Sequence, residues 1–209
     1  MNDENSLDRI LFWTFCSNFL FVFGMTGYLV MDTFDLIHSQ SRLTVEIVVN
    51  SLYVFLASLF VMNAALNLFI VYSIDRQVKR YSLMISSSLF DQFGSYAYFI
   101  GALLATNTIE FVPDNVAWSF NAVGVCTFLI AATINLFISQ TKRTAVFADH
   151  LNFLGSFFYL LAIVITRLSW TKILIIVGDV FYLVCAILYM ICWSRDRKIR
   201  YQQYMLIKQ

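Results

Sequence analysis

The chain has 209 residues, of which 60% are hydrophobic and 13% charged, with a single proline and a mean hydropathy of +0.73. That is more apolar surface than a soluble core can hide, so the composition excludes a soluble globular protein and implies a membrane protein. A net charge of +1 with no basic stripe excludes nucleic acid as a partner.

A bilayer core needs about 20 apolar residues per helical crossing. Six segments qualify: Ile10–Val30, Val48–Tyr72, Leu83–Ala105, Val116–Ile138, Phe147–Ile165 and Ile173–Trp193. The expected fold is all-α, a single six-span membrane domain of three helical hairpins over about 10–73, 83–139 and 147–193, with a basic tail over 194–209. The first span opens after a cap at Ser6-Leu7-Asp8, and a polar loop from Asp32 to Glu46 follows it. The second carries Asn63 and Asn67 one turn apart, hence on one face.

The third span holds Asp91, Gln92, Gly94, Tyr98 and Gly101 at helical spacing. The fourth, CTFLIAATINLFIS, aligns without a gap on SLFVMNAALNLFIV of the second, placing Asn135 on Asn67. The fifth aligns likewise on the third, Asn152 on Asp91 and Gly155-Ser156 on Gly94-Ser95. A short turn around Ser169-Trp170-Thr171 leads to the sixth, which contains Gly178 and Asp179. These alignments indicate an internal repeat.

One pattern recurs in all six: a residue, usually small, an aromatic four positions on, and a compact residue three further. It reads Ser17/Phe21/Gly24, Leu56/Phe60/Asn63, Gly94/Tyr98/Gly101, Gly124/Phe128/Ala131, Gly155/Tyr159/Ala162 and Gly178/Tyr182/Cys185, and only Leu56 breaks it. These offsets share one helix stripe, and small residues let neighbouring backbones approach in a membrane, so the pattern reads as packing. The core Gly-Ser-x-x-Phe/Tyr-x-x-Gly/Ala, at 94–101 and 155–162, resembles the helix motif of the YrhK-like membrane domain. That resemblance implies tandem helical hairpins and no activity. The first hairpin departs from it, with Ser17-Asn18 and Leu56-Ala57 in place of Gly-Ser.

With six spans, eleven Lys and Arg fall on the side of both termini and three (Arg42, Arg167 and Lys172) on the other. This bias puts both termini in the cytoplasm, in a membrane the sequence does not identify. The acidic, polar N-terminus carries no removable signal, so the first span directs insertion. The four cysteines lie inside spans and give neither a disulfide framework nor a metal spacing.

Asp91 and Asp179 are the intramembrane acids. Such groups are costly in a bilayer and often line ion paths or proton relays. For Asp91 the alternative is a site near the cytoplasmic end paired with Arg80 or Lys79; for Asp179, with no obvious local cation, it is an interhelical hydrogen bond. Asp149, His150 and Asn152 read as an interfacial cap opening the fifth span. Asn63, Asn67, Asn121 and Asn135 can coordinate a cation or a polar solute, or join helices by hydrogen bonds. Enzyme signatures, metal-binding helices and cofactor motifs are absent from the sequence, which predicts no catalytic activity and no cofactor. The expected role is structural, in a membrane assembly with other subunits or further copies of the chain and surrounded by lipid. The alternative is a small transporter or channel, possibly proton-linked, that uses the intramembrane Asp and Asn residues.

Overall fold

The structure is a computed structural model that describes residues 3–37, 43–74, 78, 80–106, 114–138, 143–165 and 168–207. Six helices follow one another: α1 Asp3–Ile37, α2 Leu43–Tyr72, α3 Tyr81–Ala105, α4 Asp114–Phe137, α5 Arg143–Val164 and α6 Leu168–Ile207. Five of them are long and apolar enough to cross a membrane, and the chain is an all-α polytopic integral membrane protein. The sixth expected span, α3, falls short of the others in hydropathy because Ser86-Ser87-Ser88, Asp91, Gln92 and Ser95 interrupt its apolar run.

Several sequence-based boundaries move. Helix α1 begins at Asp3, ahead of the expected cap, and runs to Ile37, so Asp32 and Asp35 are helical rather than part of a loop. Ser169-Trp170-Thr171 belongs to the first turn of α6, which also runs on through the expected separate tail to Ile207. Among the residues counted in the charge bias, Arg42, Arg76, Lys79, Lys142, Arg167 and Lys208 lie outside the described residues.

Among the described residues each helix packs on its neighbours in sequence, and α1 also packs on α6. The six therefore form a closed ring, with no helix on its axis. Three ties spaced along the α1–α6 seam close it. Trp193 Nε1 donates to Leu11 O at 2.8 Å, Asn18 Nδ2 to Tyr189 O at 3.4 Å, and Lys172 Nζ pairs with Asp35 Oδ2 at 2.7 Å. At the end of the ring that holds the chain termini, Arg80 donates to Phe137 O and Arg195 Nη1 to Thr144 Oγ1 at 3.3 Å. The first of these satisfies a carbonyl that the end of α4 leaves without a helical partner.

Glycine and aromatic residues fix the helix spacing within the hairpins. A methyl group added to Gly155 would lie 3.0 Å from the Tyr182 ring, and one added to Gly178 2.6 Å from the Tyr159 ring. Each helix thus lays a tyrosine over the other's glycine. Between α3 and α4 the backbones themselves are close: an added methyl on Gly94 meets Thr127 Oγ1 at 2.6 Å and the Phe128 ring at 3.1 Å, and one on Gly124 meets Gly94 O and the Cβ and backbone N of Tyr98, all at 3.1 Å. Between α1 and α2, where Ser17 and Leu56 stand at these positions, room is made differently. Leu56 fills the space over Gly27, whose added methyl would meet it at 2.3 Å.

The outward faces are apolar, with Phe12, Phe19, Phe23, Phe55 and Phe69 each more than half exposed. They suit contact with lipid chains.

Gly178→Ala is expected to lower stability by about 1–3 kcal/mol, because the ring it meets is anchored and overpacking must displace backbone. Gly24→Ala, whose methyl finds nothing nearer than 3.7 Å, is expected to be neutral or stabilising. Thermal unfolding of the two variants in detergent checks the contrast; equal effects would show that tightness at Gly178 does not set the packing.

Candidate functional site

The ring encloses an axial cavity of about 260 Å³ to which all six helices contribute. Helical periodicity selects the residues that face it. On α1, Ser17, Phe21, Met25 and Tyr28 lie four, four and three positions apart, and on α3, Asp91, Ser95 and Tyr98 follow the same rule. The cavity has two regions along its axis.

Toward the terminal end its wall is polar. Asn18, Asn63, Asn67, Asp91, Asn135 and Asn152 all line it, drawn from five helices. Part of this set is bound up in a closed network: Ser17 Oγ donates to Asn67 Oδ1 at 2.6 Å, Asn63 Nδ2 donates to Ser17 O at 2.7 Å, and Asn67 Nδ2 to Asn63 Oδ1 at 3.3 Å. Asn135 Oδ1 accepts from Ser87 Oγ at 2.7 Å. These bonds join α1 to α2 and α3 to α4, the role that polar side chains take between membrane helices.

Asp91 differs from them. Among the described residues it is the only charged one on the cavity wall, and it has no hydrogen bond or ion pair with any of them. Of the two basic residues weighed as its partners, Arg80 is directed to Phe137 O and Lys79 lies outside the described residues.

Beyond this tier the wall is aromatic. Phe128, Tyr98, Tyr28, Phe60, Phe21, Tyr182 and Tyr159 form an unbroken chain of ring contacts through all six helices, with centroids 5.4–6.4 Å apart. Such separations suit offset and edge-to-face pairs. Tyr98 and Tyr159, singled out as packing residues, therefore both pack on glycine and face the cavity.

Past the aromatic tier, at the end remote from the termini, lies a second polar cluster. Asp179 is wholly buried and accepts a hydrogen bond from Tyr159 Oη. Asp32 accepts one from Tyr53 Oη at 2.5 Å, and its carboxyl stands in hydrogen-bonding range of that of Asp179. Lys172, two turns before Asp179 on α6, pairs with Asp35 of α1.

The remaining sequence-derived candidates are placed as follows. Gly94, Gly124, Gly155 and Gly178 sit at the aromatic contacts described above, while Gly101 faces Asn121, whose Oδ1 an added methyl would meet at 2.1 Å. The expected interfacial cap at Asp149, His150 and Asn152 is not one, because α5 already starts at Arg143. Asp149 is buried and accepts from Tyr189 Oη, His150 is exposed with Nδ1 on Val146 O at 2.7 Å, and Asn152 lines the cavity. Among the described residues no group of three His, Cys, Asp or Glu stands ready to hold a metal ion.

Sequence reasoning missed Asn18, Asp32 and Lys172 as site residues. For Asp32 a signal was present: it continues the stripe Phe21, Met25, Tyr28 at a four-residue step.

No family model matches the chain, and neither a curated protein nor a solved structure does.

Gln92, beside Asp91, is a structural liability, since its amide nitrogen and oxygen are both buried without a partner. A buried unsatisfied polar group costs about 1–3 kcal/mol. Gln92→Met, which keeps the unbranched shape, is expected to raise the unfolding temperature in detergent. An unchanged or lower value would mean that the amide has a partner in the membrane.

Proposed function

We propose that this protein is a small membrane transporter that holds a compact organic cation, an amine or ammonium ion, in its axial cavity. The observation that carries this reading is Asp91, the only charge among the described residues of the cavity wall and one with no hydrogen bond or ion pair to any of them. A carboxylate taken out of water needs a counter-charge or a proton, and breaking a buried pair is worth several kcal/mol, so an unpaired site favours an occupant of opposite charge. Amide and hydroxyl oxygens beside Asp91 offer acceptors for N–H groups. The aromatic tier offers ring faces, which attract ammonium ions by about 0.5–2 kcal/mol each. A volume of about 260 Å³ suits a small molecule.

In this reading all six helices cross the membrane, α3 with them, since it stands in the ring between α2 and α4. Its polar residues belong to the cavity wall rather than to a failed span. The three hairpins are read as repeats of one module, and an even number of crossings with the positive bias of the terminal side supports a cytoplasmic position for both termini. The cavity weighs for this solute-handling role over a purely structural one, which needs no axial space and no unpaired acid.

The test is binding of methylammonium and of tetramethylammonium to the purified protein in lipid nanodiscs. Asp91→Asn, close in shape, is expected to weaken binding at least about tenfold, a loss of about 1.4 kcal/mol. Tyr98→Leu is expected to weaken tetramethylammonium more than methylammonium, because only the former depends chiefly on ring faces. No binding to the unaltered protein, or equal binding to Asp91→Asn, would sink the proposal.

A further inference from the structure

The second polar cluster is not part of the cavity wall, as neither Asp32 nor Asp179 lines it. It has its own chemistry. Both acids are supplied with one tyrosine donor each, Tyr53 for Asp32 and Tyr159 for Asp179. Asp179 Oδ2, fully buried, nonetheless lacks any donor. Its side-chain neighbour is the Asp32 carboxyl, which as a carboxylate can only accept. Two carboxylates in hydrogen-bonding range repel, and the arrangement becomes attractive only when one proton lies between them.

We infer that Asp32 and Asp179 form a proton-binding pair, one acid proton being shared between α1 and α6 on the side of the aromatic tier remote from Asp91. The proton is taken from water at that end of the ring and returned there, so the pair alternates between one proton and none, with no other bond made or broken. The groups around it fit a single proton. Asp35 on α1 adds a negative charge, neutralised by Lys172 of α6 at 2.7 Å. Among the described residues the other faces present neutral hydroxyls, Tyr28 on α1, Tyr53 on α2, Tyr98 on α3 and Tyr159 on α5. No second cation faces the pair among these neighbours. One proton leaves Asp32, Asp179, Asp35 and Lys172 with one net negative charge instead of two.

The site also touches the cavity. Tyr159 reaches Asp179 with its hydroxyl and lines the cavity with its ring. A change at the pair is thus felt on the cavity wall, and the cluster becomes the coupling site of a proton-linked transporter. That last step rests on the cavity reading above; the shared proton does not.

Infrared spectroscopy of the full chain in nanodiscs tests it. At about pH 7, where exposed carboxyls are ionised, the unaltered protein is expected to show the carbonyl stretch of a protonated carboxyl. The band is expected to shift or vanish in Asp179→Asn and equally in Asp32→Asn, and to persist in Asp91→Asn. Tyr159→Phe and Tyr53→Phe remove one donor each with little change in shape, and both are expected to shift the band even where an Asn variant fails to fold. A band that answers to only one of the two acids, that is lost in Asp91→Asn, or that sodium displaces would overturn the pair as a proton site. The amine-binding measurement reads the cavity separately, so failure of one reading leaves the other standing.

Discussion

Inside a bilayer, helices gain nothing by hiding apolar surface from one another, because lipid chains are equally apolar. What holds them must be close contact and polar bonds. Here the close contact is made at glycines, by a tyrosine ring laid reciprocally over a glycine between α5 and α6 and by Phe128 and the near backbones of Gly94 and Gly124 between α3 and α4. It draws the two helices of a hairpin tightly together while sending the same rings toward the axis. Pairs that are tight within themselves and bulky at the centre cannot collapse onto a common core, and they arrange as a ring around a space.

The space inherits its chemistry from where each helix places its polar residues. Those that can bond across a helix pair do so, as in the network of Ser17, Asn63 and Asn67 and the bond from Ser87 to Asn135. The two acids that matter most are the ones left over. Asp91 has no partner among the described residues and opens on the cavity, and Asp179 is sealed in with one oxygen unmet. The aromatic tier stands between them, and the proposed roles assign them different ions. A compact cation suits the first, and a proton, which needs no room, suits the second.

The sequence makes much of this readable. The all-α class and the positions of the helices follow from apolar run length, and Gly178 and Gly124 are placed at contacts by their distance from Tyr182 and Phe128. The ring is not readable, because closure depends on α1 meeting α6, and no spacing within one helix encodes a partner far away in sequence. The same blindness hides the acid pair. Asp32 looks like a loop residue once Ile10–Val30 already satisfies a bilayer, and only the extra turns of α1 bring it opposite Asp179. Leu56, which breaks the glycine pattern, becomes intelligible only when Gly27 of the neighbouring helix is seen beneath it. Patterns within a helix show which face is buried, and the bulk of the facing residue decides what the face must be.

Contacts that follow chain order, with one exception, also set a schedule for biogenesis. Helices α1 to α5 can be handed to the membrane one after another, each meeting a neighbour already in place. Until α6 is in place the arc has a gap in its wall between α5 and α1. The compartment that would hold a solute exists only from the moment α6 docks against both α5 and α1. Asp179 arrives on that same helix, so the last act of folding both seals the chamber and delivers the acid beside it.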